Sequence, residues 1–376
     1  MKNVNTWLEI DSGRLIHNIS QFRRVTNAQI MPIIKSNAYG HGMVQTAQAI
    51  EEHSDWLGVV NLEEAIELRN QGIKKPIFIL SFFFGEEDLF NAAARTNIHF
   101  PVYTLEDGER LNRVGERANA KINVQIKIDS GTSRLGILPG DAQEFVKKIR
   151  QFPWLSITGI FSHFAASEEQ QEFTQRQLLL FQNTVEKLET TIGKIPFKHF
   201  ACSAAALVTP KSQFDIIRLG IALYGLWPSE LCREMTHGMF PEFELKPALT
   251  WKTRILQIKT VPKGSKIGYG CSYSTTRNTK IAAIPIGYAD GYDRRLSNHA
   301  QVLIGNQRCN VLGRVCMNLC MVDVTDIPTT RYDHEVVLIG EQGQEHITAD
   351  ELAEKIGTIN YEVVTRIHPH IARIYV

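Results

Sequence analysis

One pattern constrains this chain more than any other. Up to about residue 230, short apolar runs of strand length are separated by longer amphipathic stretches of helix length. Eight such runs stand out, at 30–34, 57–61, 76–81, 98–102, 122–129, 157–163, 198–202 and 215–219. A strand buried on both faces reads as an unbroken apolar run, and a parallel neighbour can be reached only by a crossover, usually a helix. Within one intervening stretch, residues 170–190, the side chains Phe173, Phe181, Val185 and Leu188 recur at helical spacing on one face. Eight strands with helices between them fit a (β/α)8, TIM-like barrel, which occupies roughly 200 residues or more. An open, doubly wound sheet uses the same alternation, so strand counting leaves both arrangements open.

After Trp227-Pro228-Ser229-Glu230 the texture changes. β-rich runs follow at 251–261, 281–287, 302–306, 316–324 and 335–340, with turn chemistry such as Pro262-Lys263-Gly264-Ser265 and a brief helical pattern at 348–356. The expected fold is therefore α/β: an N-terminal barrel over 10–232 and a C-terminal, mainly β domain over 233–376, joined by an N-terminal strand within 1–9. Lys plus Arg is 41 and Asp plus Glu is 40, so no field of one sign gathers nucleic acid or an anionic membrane. Neither an apolar leader over Met1–Ile10 nor a run of eighteen apolar residues is present, which points to a cytoplasmic protein. Its partner is then a small molecule or a second copy of itself. The six cysteines form no Cys-x-x-Cys pair and have no histidine spacing suited to zinc, so no metal site is expected.

Reactive groups of a barrel collect at the C-terminal ends of its strands. Lys35, Lys127, His163, Ser203 and Arg218 each fall at or just past the end of a different run. In 122–129, alternation puts Ile122, Val124, Ile126 and Ile128 on one face and Asn123, Gln125, Lys127 and Asp129 on the other. If the apolar face meets the helices, Lys127 points inward, where an ammonium is costly unless paired or chemically altered. A register shifted by one residue would put it at the surface instead. Lys35 follows Ile30-Met31-Pro32-Ile33-Ile34 and precedes a glycine-containing turn. A desolvated amine there can bond an aldehyde cofactor. Position alone is equally consistent with a solvated strand-end lysine.

The whole string Lys35-Ser36-Asn37-Ala38-Tyr39-Gly40-His41-Gly42 closely resembles the pyridoxal-phosphate (PLP) attachment signature of the alanine racemases, and the resemblance continues over nearly the whole chain in order and spacing. It implies that Lys35 carries the cofactor and is one of two catalytic bases, with Tyr39 binding the phosphate. Arg134, in Ser133-Arg134-Leu135-Gly136, resembles the arginine that bonds the cofactor's phenolic oxygen and lies near the substrate carboxylate. Lys127 resembles the lysine that is carbamylated to hold that arginine, which would resolve its burial. The same likeness makes His163 the residue stacked on the pyridine ring and Arg218 the residue facing the pyridine nitrogen. Ser203 and the backbone of Gly220 and Ile221 become a phosphate cradle, and Tyr361 a phosphate-side tyrosine. Gly268-Tyr269-Gly270 resembles the motif whose tyrosine is the other base. Tyr288, Arg294 and Arg314 correspond to an entrance, and Met317 to a substrate-carboxylate contact.

The activity implied is interconversion of L- and D-alanine, with Lys35 handling the D-alanine proton and Tyr269 the L-alanine proton. As a base, Tyr269 needs a positive neighbourhood, supplied by a relay through His163 to Arg218. An arginine does not readily protonate the pyridine, which disfavours transamination and β-elimination. The resemblance also implies a homodimer in which Tyr269 reaches the barrel of the other subunit, and a role in making D-alanine for peptidoglycan or in catabolising it. A serine-preferring or broad-specificity racemase remains an alternative, although the bulk of Tyr361 favours a methyl side chain. So does a non-catalytic PLP-binding protein on the same barrel, against which the Tyr269 segment argues. Two positions depart from the family pattern: Asn318 stands where Asp is usual and Cys202 where Asn is usual.

Overall fold

The structure is a computed structural model, and it describes residues 5–83, 90 and 93–376. The chain divides into two compact units. One contains Gly13–Ser36 and Met43–Pro247; the other contains Met1–Ser12, Asn37–Gly42 and Ala248–Val376.

Strand β1 (Thr6–Ile10) belongs to the second unit. In the first unit lie β2 (Gln29–Pro32), β3 (Leu57–Val59), β4 (Ile77–Ile79), β5 (Ile98–Val102), β6 (Ile122–Lys127), β7 (Leu155–Phe161), β8 (Phe197–His199) and β9 (Ile216–Leu219). Strands β3 to β8 form one parallel ladder in chain order, and β2 pairs in parallel with β9. Individual hydrogen bonds join the two pieces. The Ile34 N–H donates to Gly58 O at 2.9 Å on one side, and the Arg218 N–H donates to Ala201 O at 3.0 Å on the other. These eight strands make the barrel, and the open doubly wound sheet is excluded.

The polar face of β6 turns inward. Gln125 Oε1 lies 2.6 Å from His199 Nε2 on β8, a strand that is not a neighbour of β6 in the ladder, so the bond crosses the interior. Lys127 is accordingly 5% exposed. Helices cover the outside. The helix at Gln171–Ile192 buries Phe181, Val185 and Leu188 of the stripe the sequence marks out, while Phe173 is only half-buried and Leu178 takes a buried place in the first turns. At Leu105–Ala118, Thr104 and Asp107 form a reciprocal capping box, worth about 1 kcal/mol. The helix Glu230–Met239 lies across the expected 232/233 boundary and belongs to the barrel unit, which runs on to Pro247. Gly225 allows that continuation: its φ is +79° and an added Cβ would sit 1.9 Å from Lys246 O.

In the second unit, β1 pairs antiparallel with Leu249–Arg254 and parallel with Ala372–Tyr375, so the first and last strands share a sheet. The expected run 251–261 is two strands, Leu249–Arg254 and Gln257–Val261, which pair with different neighbours. Besides the helix Ala349–Ile356, capped by Thr348, there is a second helix at Asn360–Thr365 that the sequence pattern does not reveal. Among the described residues no helix is long and apolar enough to cross a membrane.

Candidate active site

Lys35 leaves β2 into an unusual turn. Ser36, Asn37, Ala38 and Tyr39 all have φ between 53° and 55°, four consecutive non-glycine residues in the left-handed region. Such residues cost roughly 1–2 kcal/mol each, so the conformation needs outside support. Within the turn, the Gly40 and Gly42 N–H groups donate to Asn37 O at 3.0 and 2.9 Å. Burial lowers the Lys35 amine from its ordinary value, Arg134 lowers it further, and Glu64 opposes both.

The end of β6 presents Lys127, whose ammonium lies 5.5 Å from the centre of the Phe161 ring. Burial first, then Arg134 and Arg218, push its pKa down to about 8. Two residues on, Asp129 organises the following loop. Its Oδ1 accepts the N–H groups of Gly131, Thr132 and Ser133 at 2.9, 2.9 and 3.1 Å, and its Oδ2 accepts the Arg134 N–H at 3.2 Å. One carboxylate therefore folds the segment that carries Arg134.

Arg218, on β9, is 4% exposed, and its hydrogen-bond acceptors among the described residues are all neutral. Nη1 donates to His199 Nδ1 at 2.7 Å, and Nη2 to Ser162 O at 2.7 Å, Phe200 O at 2.9 Å and His163 Nδ1 at 3.2 Å. A guanidinium has no acceptor, so both imidazoles receive its protons on Nδ1 and hold their own on Nε2. For His199 that proton points at Gln125 Oε1. Burial lowers Arg218 to about 10. Burial, followed by Arg218, Arg134, Lys127 and Lys35, holds His163 well below its usual value, so its ring is neutral. Next to β9, Ser203 Oγ accepts the Gly220 N–H at 2.9 Å, and Ile221 opens a short 3-10 helix.

In the second unit, the rings of Tyr39 and Tyr361 lie 6.2 Å apart at 48°, with Tyr361 carried by the unforeseen helix Asn360–Thr365. Tyr269 stands between two glycines of φ +69° and is 73% exposed. It lines a cavity of about 440 Å³ with Tyr288, Arg294, Arg314, Met317 and Asn318. The structure thus gathers the sequence-marked residues into a barrel-mouth group, a Ser203–Gly220 pair, a Tyr39–Tyr361 pair and a cavity around Tyr269.

Comparison with known proteins settles the relationship. The family model for the alanine racemase N-terminal domain matches residues 10–228, and that for the C-terminal domain matches residues 248–375. The chain belongs to the alanine racemase family. It is 39% identical to the alanine racemase of Methanococcus maripaludis over 98% of both chains, and 40% identical to that of Halothermothrix orenii over 98% of this chain and 96% of the other. Among solved structures, the alanine racemase of Clostridium difficile 630 superposes with a TM-score of 0.92 at 34% identity, covering 100% of this chain and 97% of that one. That from Bacillus anthracis with bound L-Ala-P has a TM-score of 0.90 at 33% identity, covering 100% and 96%.

Alanine racemases depend on pyridoxal 5'-phosphate. The barrel mouth suits such a dianion. Lys35, Lys127, Arg134 and Arg218 act on one another electrostatically, while the carboxylates of Asp129 and Glu64 are bonded to backbone N–H groups. Positive charge that the nearby carboxylates offset only in part is what an anionic cofactor and substrate require. Four residues in this arrangement escaped the sequence reading as contributors: His199, Gln125, Asp129 and Glu64. Alternation already placed Gln125 and Asp129 on the inner face, and His199 is a polar residue inside a marked apolar run.

Proposed function

We propose that this chain interconverts L-alanine and D-alanine with PLP held at the barrel mouth, and that Lys35 and Tyr269 are its two bases. The observation that carries the reading is a lysine of lowered pKa at a barrel mouth that also carries Lys127, Arg134 and a buried Arg218 held by neutral acceptors, in a chain of the alanine racemase family. When bound, the cofactor bonds a lysine amine and draws electrons from the amino acid's α-carbon, so that the α-proton becomes acidic.

Racemisation then needs a proton taken from one face and returned to the other. A Lys35 amine that releases its proton more easily than an exposed lysine suits one side of that exchange. The phenol of Tyr269 serves the other. The Arg218–His163 hydrogen bond of 3.2 Å forms the barrel end of the relay that supports Tyr269. With its pKa at about 10, Arg218 stays protonated at neutral pH, so facing the ring nitrogen of a bound cofactor it would offer a hydrogen bond without surrendering a proton. Electron withdrawal stays moderate, which favours return of the proton over elimination or transamination. Tyr39 and Tyr361, and Ser203 with the backbone of Gly220 and Ile221, would hold the cofactor's phosphate. Arg134 and Met317 receive the substrate carboxylate, and Tyr288, Arg294 and Arg314 line the approach.

Lys127 is the candidate for carbamylation. Its neutral amine attacks the carbon of CO2, a C–N bond forms, one C=O electron pair moves onto oxygen and a proton leaves the nitrogen. The product is an anion within the electrostatic reach of Arg134 and Arg218 in place of a third cation.

The exposure of Tyr269 and of Met317, at 73% and 56%, supports a homodimer in which each subunit covers the other's cavity and lends it Tyr269. The proposal extends to a cytoplasmic enzyme that supplies D-alanine for peptidoglycan or consumes it.

Incubating the purified chain with PLP and each L-amino acid should give D-alanine of unchanged mass. D-serine alone would move the substrate assignment, and absence of any D-amino acid would refute the activity. Mixing inactive Lys35→Ala and Tyr269→Ala chains should restore about a quarter of wild-type activity, because half of the dimers then hold one intact site of two.

A further inference from the structure

Glu64 occupies the third position of the helix Leu62–Asn70, whose cap, Asn61, accepts the Glu64 N–H at 3.0 Å. An acid at this position usually turns back to the N–H of the cap residue itself. Glu64 does not. Its Oε2 accepts the N–H of Val60 at 2.8 Å, and its Oε1 accepts the N–H of Ser36 at 2.8 Å. The second bond joins it to the peptide that links Lys35 to Ser36. One carboxylate therefore ties the exit of β3 to the exit of β2, at the lysine's own backbone.

That N–H is in particular need of an acceptor. The preceding strand-like bond, from Ile34 to Gly58 O, ends the pairing of this segment. Ser36 then begins the four left-handed residues, and the bonds made inside the turn involve the N–H groups of Gly40, His41 and Gly42 at its far end. The far end has further support: the Arg373 Nε donates to Gly40 O at 3.1 Å, and the Tyr375 hydroxyl donates to His41 O at 3.1 Å. At the near end, the recorded acceptor of the Ser36 N–H is Glu64.

Charge makes the placement more than structural. Arg134 and Glu64 are the charged groups that act most on the Lys35 amine, with Lys127 and His163 also in range; Glu67 is the neighbouring charge on the helix of Glu64. Of these, Arg134 and the unmodified Lys127 are cationic, His163 is neutral, and Glu64 is the carboxylate that opposes them at Lys35. Burial raises the Glu64 pKa, and the two N–H bonds and Lys35 oppose that rise.

We propose that Glu64 is a positioning residue for Lys35: its carboxylate anchors the strained turn that presents the lysine and sets a negative charge beside the amine. The inference rests on Lys35 being the cofactor lysine, but its test does not depend on racemisation. In Glu64→Gln the amide oxygen can accept one of the two N–H groups and the charge is lost. In Glu64→Asp the charge stays and the reach shortens.

Hydrogen exchange on the full chain should show the Ser36 or Val60 amide exchanging roughly tenfold faster in Glu64→Gln, with the β-strands of the barrel as protected as in the wild type. Competitive labelling of Lys35 in the cofactor-stripped full chain, followed by mass spectrometry across pH, should show its midpoint moved to lower pH in Glu64→Gln and held near the wild-type value in Glu64→Asp. With PLP bound, kcat/KM should fall roughly tenfold or more in Glu64→Gln. Unchanged amide exchange and an unchanged Lys35 midpoint in Glu64→Gln overturn the proposal whatever the activity. The two shifts in a chain whose wild type forms no D-alanine would leave the positioning role intact and refute the racemase reading.

Discussion

Replacing Asp129 tests how the loop after β6 places Arg134. The carboxylate accepts four backbone N–H groups, from Gly131, Thr132, Ser133 and Arg134, and also the Thr132 hydroxyl at 3.3 Å. A buried hydrogen bond to a charged group contributes about 1.5–3 kcal/mol. This loop is partly open to water, which can replace the lost acceptor, so about 0.5 kcal/mol per bond is the better figure. Four bonds then give about 2 kcal/mol for Asp129→Ala, equivalent to roughly 30-fold in kcat/KM if the loss falls on the placement of Arg134. Asp129→Asn is the sharper probe. Its amide oxygen can keep the three donors that converge on Oδ1, but its nitrogen cannot accept the Arg134 N–H, so a loss of roughly threefold to tenfold is expected, mainly in KM.

Burial by itself would raise the Asp129 carboxyl, but the N–H groups of Gly131, Ser133 and Thr132 outweigh it and hold the group below the usual carboxylate range. A carboxyl depressed in the folded state stabilises the fold above its unfolded pKa, near ~3.9, and loses that contribution as pH falls through the folded value. Wild-type stability should therefore fall through this acid range more steeply than that of Asp129→Asn. The assay combines alanine kinetics, urea unfolding at neutral and acid pH, and amide exchange over 131–134. An Asn variant with wild-type KM and a wild-type Arg134 amide would refute the reasoning.

Two other perturbations have equally definite outcomes. With its pKa at about 8, Lys127 should have about a quarter of its amine neutral at about pH 7.5. Bicarbonate should thus add the mass of one CO2 at Lys127 and raise activity, Lys127→Ala should abolish the mass change, and an unmodified, fully active wild type would refute carbamylation. Since the unmodified amine titrates at about 8 when folded, against 10.5 for an ordinary lysine, that form should gain stability as pH rises through this interval, measurable by urea unfolding under CO2-free conditions. Gly225→Ala should cost at least about 3 kcal/mol or prevent folding, because φ is +79° and the added carbon meets Lys246 O at 1.9 Å. A urea midpoint near wild type would contradict that.

The barrel was legible because buried parallel strands are written in runs such as Ile98–Val102, which the structure reproduces to the residue. Alternation in β6 was equally readable and favoured an inward Lys127, but the competing register was closed only by the Gln125–His199 bond across the interior. Other features depend on what folding brings within reach. The helix Asn360–Thr365 is six residues long, too short for a periodic stripe, and it depends on tertiary packing for its stability. A left-handed turn built from Ser36, Asn37, Ala38 and Tyr39 leaves no mark in a sequence, because only glycine advertises that conformation. Glu64 reads as an ordinary acid in the first turn of a helix, where the dipole favours it, and that conventional role conceals its bond to Ser36. Asp129 was visible as an inward residue, yet its four N–H partners are set by a loop path that no periodicity encodes.

These hidden contributors share a consequence for the site. Both carboxylates at the barrel mouth direct their oxygens to backbone N–H groups, and Arg218 donates to carbonyls and neutral imidazoles. An acidic residue paired with Arg218 would satisfy the arginine internally and compete with any ligand for it. Neutral partners hold the Arg218 guanidinium in place at close range while leaving its charge uncompensated, and Asp129 fixes the backbone of Arg134 through its N–H. The barrel thus folds with repulsion among Lys35, Arg134, Arg218 and the uncarbamylated form of Lys127, a repulsion that Glu64 and Asp129 offset only in part and that an anionic ligand relieves. PLP should accordingly stabilise the barrel more than its apolar contacts alone would, and the increment should shrink with added salt to the extent that the mouth remains open to solvent.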